Sequence, residues 1–354
     1  MGKKKESGTD CFYKTLKNNN IKNNNIKNNN SKKYDVITIG GAMEDLFFEV
    51  DDFIMLEDPK LHQGKKLLAF EYGCKIGVPS MENFLGGGAN NAAISFSRLG
   101  LRTAFMGAIG DDDRGKRIIS NLIKNDVSTS FLTIKKNIQT GVSFILVGPG
   151  NEHVAFTYRG ANGAFKFSSK DKNRLNESRW LYVTSLSAGW RKTLNGIFST
   201  NCKIAWNPGR EQLAAGTSQL SNYLLKTKVL ICNYSEARTL TSNSETDIEK
   251  LLKKLNSFGP EIIIITNGAD GAHAFDGSRF YYQACEKILK PLNTTGVGDS
   301  FGSTFIAGHH LFDGDVQASL KMASKNAAAV VNSHGAQTGL LKFRHLNSGR
   351  SKKK

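Results

Sequence analysis

Cysteine pairs, metal-ligand spacings and long apolar runs are what this chain of 354 residues has least of. Its five cysteines (Cys11, Cys74, Cys202, Cys232 and Cys285) are scattered, odd in number and nowhere spaced as CxxC. That argues against a disulfide scaffold and a structural zinc site, and fits a reducing compartment. No apolar run approaches the roughly 18 residues of a membrane-spanning helix; the densest short one is Ile262 to Ile265. A secretory signal would need a continuous apolar stretch that the first residues lack. Myristoylation wants Ser or Thr where Glu6 stands. A soluble, cytoplasmic protein without a membrane partner is expected. GxxxxGK[ST] matches nowhere, and LGGGANNAA fails as a dinucleotide fingerprint because Asn91 replaces the final Gly or Ala. Both failures count against P-loop phosphotransfer and nicotinamide chemistry.

With 39% hydrophobic residues the chain can build a substantial core. Its net charge of +17 resides mostly in the tails. Residues 1–33 carry +7 and residues 340–354 carry +6, leaving +4 for the 306 residues between. Asn18 to Asn30 holds nine Asn, two Ile and two Lys. So little apolar surface cannot offset ordering entropy, so 1–33 is expected to be a disordered tail and 342–354 a basic one. Such tails attract polyanions non-specifically. Nothing defines a base-reading surface, and no specific nucleic-acid partner is expected.

Between the tails, YDVITIGG, TAFMGAIG, WLYVTSL, KIAWNPG, KVLICN and EIIIITNG are short apolar runs that close on turn residues. Amphipathic stretches alternate with them, such as GKRIISNLIKNDV with its Ile118, Ile119, Leu122, Ile123 stripe. This pattern predicts an α/β fold with a mainly parallel sheet sandwiched by helices. TGVSFILVGPGNEHVAFTY predicts a hairpin. A small β-rich lid, antiparallel in its pairing, is expected from about 47–84 and 141–158, on a single domain over 34–341.

In parallel α/β sheets, ligands bind in the turns at the carboxyl ends of strands. In NTTGVGDSFGSTFIAGHHL a Gly-x-Gly opens a helix rich in small residues. The N–H groups of Gly296, Val297 and Gly298 would converge there as an anion site. Asp299 beside them could take a proton from an attacking hydroxyl; by itself it could equally be a helix cap.

Together these motifs resemble the PfkB carbohydrate kinase family, which has a ribokinase-like fold. NTTGVGD resembles the family's DTTGAGD signature, and LGGGANNAAISFSRLG its other signature. AIGDDDRG, ICNYSEA and ITNGADG are similar to three further family turns, all in family order from about Tyr34 to Leu341. The resemblance implies ATP-dependent phosphorylation of a sugar hydroxyl. It makes Asp299 the general base and Gly296 to Gly298 the anion hole. Asn233 and Glu236 match a pair that holds Mg²⁺ through water in the family's manner; Thr266, Gly268 and Gly271 match its ATP turn. Asp45, just after the first strand in GGAMEDL, matches a residue that binds substrate hydroxyls, with a charge on the edge of a solvated turn as the alternative. Gly86, Gly88 and Asn90 match the substrate-side turn. Asn326 on the late helix is expected near the adenine. Arg159 and Asn162 are expected to close on substrate or phosphate, with a surface ion pair as the alternative for Arg159. A homodimer through the lid also fits the family.

A nucleoside kinase is the alternative within this chemistry, with Phe47 and Phe48 stacking on a base. A nucleic-acid-binding protein that uses its tails is the alternative from another class. His309 and His310 are adjacent and therefore do not share a helix face as metal ligands.

The family's first signature acid is Asn293 here, and members that use potassium draw charge from that acid. Gly335, Ala336 and Gln337 keep the segment that supplies carbonyl ligands. A neutral amide oxygen attracts a weakly hydrated cation less than a carboxylate does. Potassium activation is therefore expected to be weak or absent, and Asn293→Asp to increase it. The test is kcat with potassium exchanged for a bulky organic cation; strong wild-type activation at low millimolar potassium would overturn it.

Overall fold

The computed structural model describes residues 32–57, 66–148, 153–242, 245–287 and 294–346. Its strands are β1 (Tyr34–Ile39), β2 (Met43–Glu49), β3 (Ile54–Glu57), β4 (Lys66–Ala69), β5 (Met81–Gly86), β6 (Thr103–Gly110), β7 (Ser128–Lys135) and β8 (Gly141–Val147). They continue as β9 (His153–Tyr158), β10 (Ser178–Val183), β11 (Lys203–Trp206), β12 (Val229–Asn233), β13 (Ile262–Thr266), β14 (Ala272–Phe275) and β15 (Phe280–Gln283). The helices are α1 (Gly88–Arg98), α2 (Asp113–Lys124), α3 (Ser169–Leu175), α4 (Trp190–Ile197), α5 (Arg210–Leu213) and α6 (Gly216–Leu224). After them come α7 (Tyr234–Thr241), α8 (Ile248–Asn256), α9 (Val297–Leu311), α10 (Val316–Val331) and α11 (Phe343–Leu346).

The large sheet has the order β15-β14-β13-β12-β11-β10-β1-β6-β7. From β13 to β7 every pairing is parallel; β14 and β15 add an antiparallel edge. The strands are apolar on both faces because both faces are covered. Ile37, Leu181, Val183, Ile204, Leu230, Ile263 and Ile265 pack with Leu194, Leu224, Leu240 and Leu252 of α4, α6, α7 and α8. Their sequence neighbours Val36, Trp180, Tyr182, Ala205, Ile231, Ile262 and Ile264 pack with Phe96 of α1, Phe305 of α9 and Leu320 of α10. That period-two split is the sheet's pleat written in apolar residues. The edge strands β14 and β15 were not anticipated from the pattern.

A second sheet, in the order β5-β2-β8-β9, stands apart from the first. The expected 141–158 hairpin is present, with Phe144 opposite Phe156, while its turn lies partly outside the described residues. Two expectations change. The pairing of β2 with β8 is parallel, so this sheet is mixed. Residues 47–84 do not all join it, since β3 and β4 form a separate two-stranded piece.

Helix α2 fixes the root of the small sheet. Its cap Asp112, in the AIGDDDRG turn, accepts from Gly115 N at 2.8 Å, from Thr140 N at 2.8 Å and from Thr140 Oγ1 at 2.6 Å. Thr140 immediately precedes β8, so one carboxylate holds a helix start and a strand start together. One turn on, Arg114 Nε and Arg117 Nη2 donate to the buried Glu44 of β2, at 2.9 and 2.7 Å. Ile118, Ile119 and Leu122 are buried as the stripe predicts, but Ile123 faces solvent. Tails 1–31 and 347–354 lie outside the described residues.

Candidate active site

Gly296 precedes α9 at φ 77°, where only glycine is unstrained, and a Cβ there would come 2.2 Å from Ala336 Cβ. The turn therefore docks directly on the 335–337 segment. Gly298, in the first turn, has nothing within 4 Å of where a Cβ would stand, so the helix start opens onto free space. First-turn N–H groups lack intrahelical partners. Val297 N donates to Thr294 O at a long 3.4 Å. Asp299 follows in the same turn and is partly exposed. Protein crowded around it pushes its carboxyl up, while Asn91 Nδ2, donating to Oδ2 at 2.9 Å, pulls the other way; the net shift is upward.

Asp45 lies inside β2 rather than in a turn, so the small sheet itself carries it. It is buried, with 6% exposure. Burial pushes its carboxyl up to about 6; Ser143 opposes the shift, and the charges of Asp299 and Glu44 add to it. The glycines of LGGGANN acquire a specific reason. A Cβ on Gly86 would lie 1.9 Å from Asp45 Oδ2, and one on Gly88 would lie 3.0 Å from Asp299 Oδ1. These two positions make room for two carboxylates. Asn90 is fully buried and donates Nδ2 to Gly86 O at 3.1 Å, and among the described residues its Oδ1 has no partner.

A cavity of about 710 Å³ opens beside Gly298. Thr266, Gly268, Gly271, Val297 and Gly298 all line it, so the 266–271 turn and the α9 start face one space. Asn326 does not belong there. It is fully buried between helices, with Nδ2 on Thr304 Oγ1 at 2.7 Å and Oδ1 accepting from Leu341 N at 2.8 Å. Its neighbours Ser324, Ala327 and Ala328 line the cavity instead, one helix face round.

Asn233 and Glu236 cap α7 reciprocally: Asn233 Oδ1 accepts from Glu236 N at 2.9 Å, and Glu236 Oε2 accepts from Asn233 N at 2.8 Å. Burial raises the Glu236 carboxyl, the hydrogen bond from Asn233 opposes that, and the Asp299 charge adds to it. Glu236 thus senses Asp299 across the cleft. Asn162 clamps the loop before β2, with Oδ1 accepting from Ala42 N at 3.1 Å and Nδ2 donating to Ala42 O at 2.8 Å. Both polar atoms are spent on backbone, which makes it a loop clamp. Arg159 is exposed and makes no ion pair among the described residues. Asn293 lies outside them. Sequence reasoning missed Asn91; its place one residue after Asn90, on the next face of α1, was the available signal.

A parallel α/β sheet with a glycine-opened helix, a carboxylate at its start and a nucleotide-sized cavity beside it defines a class of phosphotransferase-like folds. The model of the pfkB family carbohydrate kinases matches residues 61–342, and the chain belongs to that family of ATP-dependent kinases. It is 22% identical over 321 residues to a nucleoside kinase of Methanothermobacter thermautotrophicus, covering 88% of this chain and 93% of that protein. Arabidopsis thaliana ribokinase, solved with ribose and ATP, superposes with a TM-score of 0.74 at 18% identity, covering 89% and 97% of the two chains. A putative ribokinase II from E. coli, solved with ATP and Mg²⁺, gives 0.70 at 17% identity, covering 89% and 98%.

Asp45 generates a stability prediction with a definite sign. Its folded carboxyl titrates near 6 against an ordinary 3.8, so the fold holds that proton more tightly than the unfolded chain does. Protonated Asp45 costs nothing extra below the unfolded value, and its ionised form destabilises the fold fully above the folded one. Asp45→Asn is therefore expected to stabilise the protein by about 1–3 kcal/mol at pH 8, with the gain vanishing towards pH 4. Urea unfolding at several pH values measures this. A gain that does not depend on pH would mean that the carboxyl is not strained by burial.

Proposed function

We propose that this chain transfers the γ-phosphoryl group of ATP to a hydroxyl of a sugar, with Asp299 as general base. The observation that carries it is the convergence of Asp45, Asp299 and the α9 start within one cleft, next to the 710 Å³ cavity. Asp45 accepts from acceptor hydroxyls and orients one of them. Asp299 takes the proton from that hydroxyl as it attacks; a carboxyl raised by burial is a stronger base than an exposed one. The N–H groups at the start of α9 face the charge that develops on the transferred group, where fixed dipoles need no reorganisation.

The residues present fit a magnesium ion held through water. Glu236 keeps Oε1 for a metal-bound water, and Asn233, whose Oδ1 accepts one cap bond, keeps that oxygen's second lone pair and Nδ2 for a water or a phosphate. Among the described residues no group of three or more His, Cys, Asp or Glu forms a direct metal site, which suits an ion that keeps several waters. When bound, Mg²⁺ would neutralise phosphate charge.

The aromatic pair beside Asp45 supports a sugar over a nucleoside. Phe47 meets Phe84 edge-on at 5.6 Å and Phe48 stacks on Phe144 at 6.2 Å, so both rings are engaged within the small sheet. The similarity to a nucleoside kinase supports the second reading. ADP release from Mg·ATP, screened against sugars, sugar phosphates and nucleosides, separates the two. Release with none of them would sink both. In the same assay Asp299→Asn is expected to lower kcat by about 10²–10⁴, with ATP affinity little changed. Near-normal turnover in the folded variant would remove Asp299 from the chemistry.

The small sheet fits a lid, and its outer face fits a second copy of this chain. Val154, Phe156 and Tyr158 alternate along β9 on one face and are 40%, 58% and 48% exposed, with Phe144 opposite Phe156. Sedimentation velocity is expected to find a dimer, and Phe156→Glu a monomer. A monomeric wild type would rule this face out as the interface.

A further inference from the structure

A line of hydrogen bonds runs from the far side of α1 to the carboxylate at the start of α9, and each link has only one polarity. Arg98 Nε donates to Asn125 Oδ1 at 3.2 Å, and Asn125 Nδ2 donates to Asn121 Oδ1 at 3.2 Å. Asn121 Nδ2 donates to Gln337 Oε1 at 2.8 Å. Gln337 Nε2 donates to Asn91 Oδ1 at 2.9 Å, and Asn91 Nδ2 donates to Asp299 Oδ2 at 2.9 Å. A guanidinium only donates and an ionised carboxylate only accepts. With those two groups at its ends, no amide of the chain can turn round without breaking both of its bonds. Arg98 Nη1 also donates to the carbonyls of Gln337 and Leu340, at 2.9 and 3.0 Å, which pins the backbone that carries Gln337.

We propose that Asn91 and Gln337 are positioning residues for Asp299, members of a one-way amide relay that reserves Oδ2 for protein and leaves Oδ1 to the acceptor hydroxyl. Oδ1 is the atom that faces Gly88, the glycine of the substrate-side turn. The inference rests on the reading of Asp299 as general base. Serial hydrogen bonds polarise one another, so loss of a middle link weakens the last one. A donor on a carboxylate favours its ionised form. The other titratable groups acting around Asp299 are Asp45 from β2, Glu236 from α7 and Tyr182 from β10, and none of them supplies a positive charge.

The test uses the full chain with no ligand, following the side-chain carboxyl carbons of ¹³C-labelled aspartates by NMR across pH. Asp299→Asn assigns the signal. Asn91→Leu is expected to move the Asp299 midpoint upward by on the order of one pH unit. Gln337→Met, at a half-buried site, is expected to move it the same way by less. Links in series do not add, so the double variant is expected to match Asn91→Leu alone. With the acceptor that gives most ADP release, Gln337→Met is expected to lower kcat about three- to ten-fold, with KM for ATP within about two-fold. An unchanged midpoint and kcat in Gln337→Met, or shifts that add in the double variant, would overturn the relay. If Asn91→Leu fails to fold, Gln337→Met decides alone. Full turnover by Asp299→Asn would instead overturn the base reading, and the NMR midpoints would still judge the relay.

Discussion

Desolvated negative charge is the constraint around which this cleft is arranged. Asp45, Glu236 and Asp299 come from β2, the start of α7 and the start of α9, and burial raises all three carboxyls. No cation is among the groups acting on them within the described residues. Compensation comes from dipoles: Ser143 beside Asp45, the Asn233 N–H on Glu236, the Asn91 amide on Asp299, and the amino ends of two helices. Among the described residues Lys287 lines the neighbouring cavity but is not among the groups acting on these carboxylates. Compensation by dipoles suits a co-substrate which arrives with its own metal ion, and it explains why a protein would carry carboxylates there at a cost to its stability.

The fold can sustain that arrangement because little else in the large sheet is polar. Strands such as β13, Ile-Ile-Ile-Ile-Thr, send alternate residues into two separate cores and place their polar residues at the carboxyl ends. Thr266 and Asn233 are those end residues on adjacent strands, in register with each other. One strand end thus feeds the nucleotide-sized cavity and the next feeds the α7 cap. The site is where the apolar alternation stops.

Local pattern was enough for the strands of the parallel sheet, the 141–158 hairpin, the helix that begins at Val297 and the place of Asp299 in its first turn. Each depends on residues adjacent in sequence. The misplacements share a different cause. Asp45 follows closely on two glycines that read as a turn; only pairing with β5 and β8 makes it strand. Gly86 and Gly88 look like glycines for a ligand, but the atoms they make room for belong to Asp45 and Asp299, the second over two hundred residues away. Asn326 has the right helix and the wrong face, and a shift of one residue decides that. The bonds from Asn91 to Asp299 and to Gln337 cross separations of 208 and 246 residues, which no local spacing can encode.

That Asp45 belongs to the small sheet has a mechanical consequence. If it sat on the large sheet, acceptor binding and the position of the small sheet would be independent. Because β2 carries it, an acceptor held by Asp45 is held in the small sheet's frame, while Asp299 stays in the frame of α9. On the proposed roles of Asp45 and Asp299, attack would require the two frames in register, so movement between them would change catalysis and acceptor affinity together. Contacts that restrain such movement include the Asn162 clamp before β2, the His334–Glu82 contact on β5 and a set that lies on one helix. Arg114 and Arg117 of α2 hold Glu44, the residue next to Asp45, and Asn121 reaches Gln337 in the chain that ends on Asp299. Positions 114, 117 and 121 are spaced by three and four, which puts them on a single face of α2. One stripe of that helix therefore touches the sheet that carries Asp45 and the bonded chain that ends on Asp299, and the Asp112 cap fixes its first turn to the root of β8. Helix α2 thus couples the surroundings of the two carboxylates, through Glu44 beside Asp45 and through Gln337 in the chain that ends on Asp299.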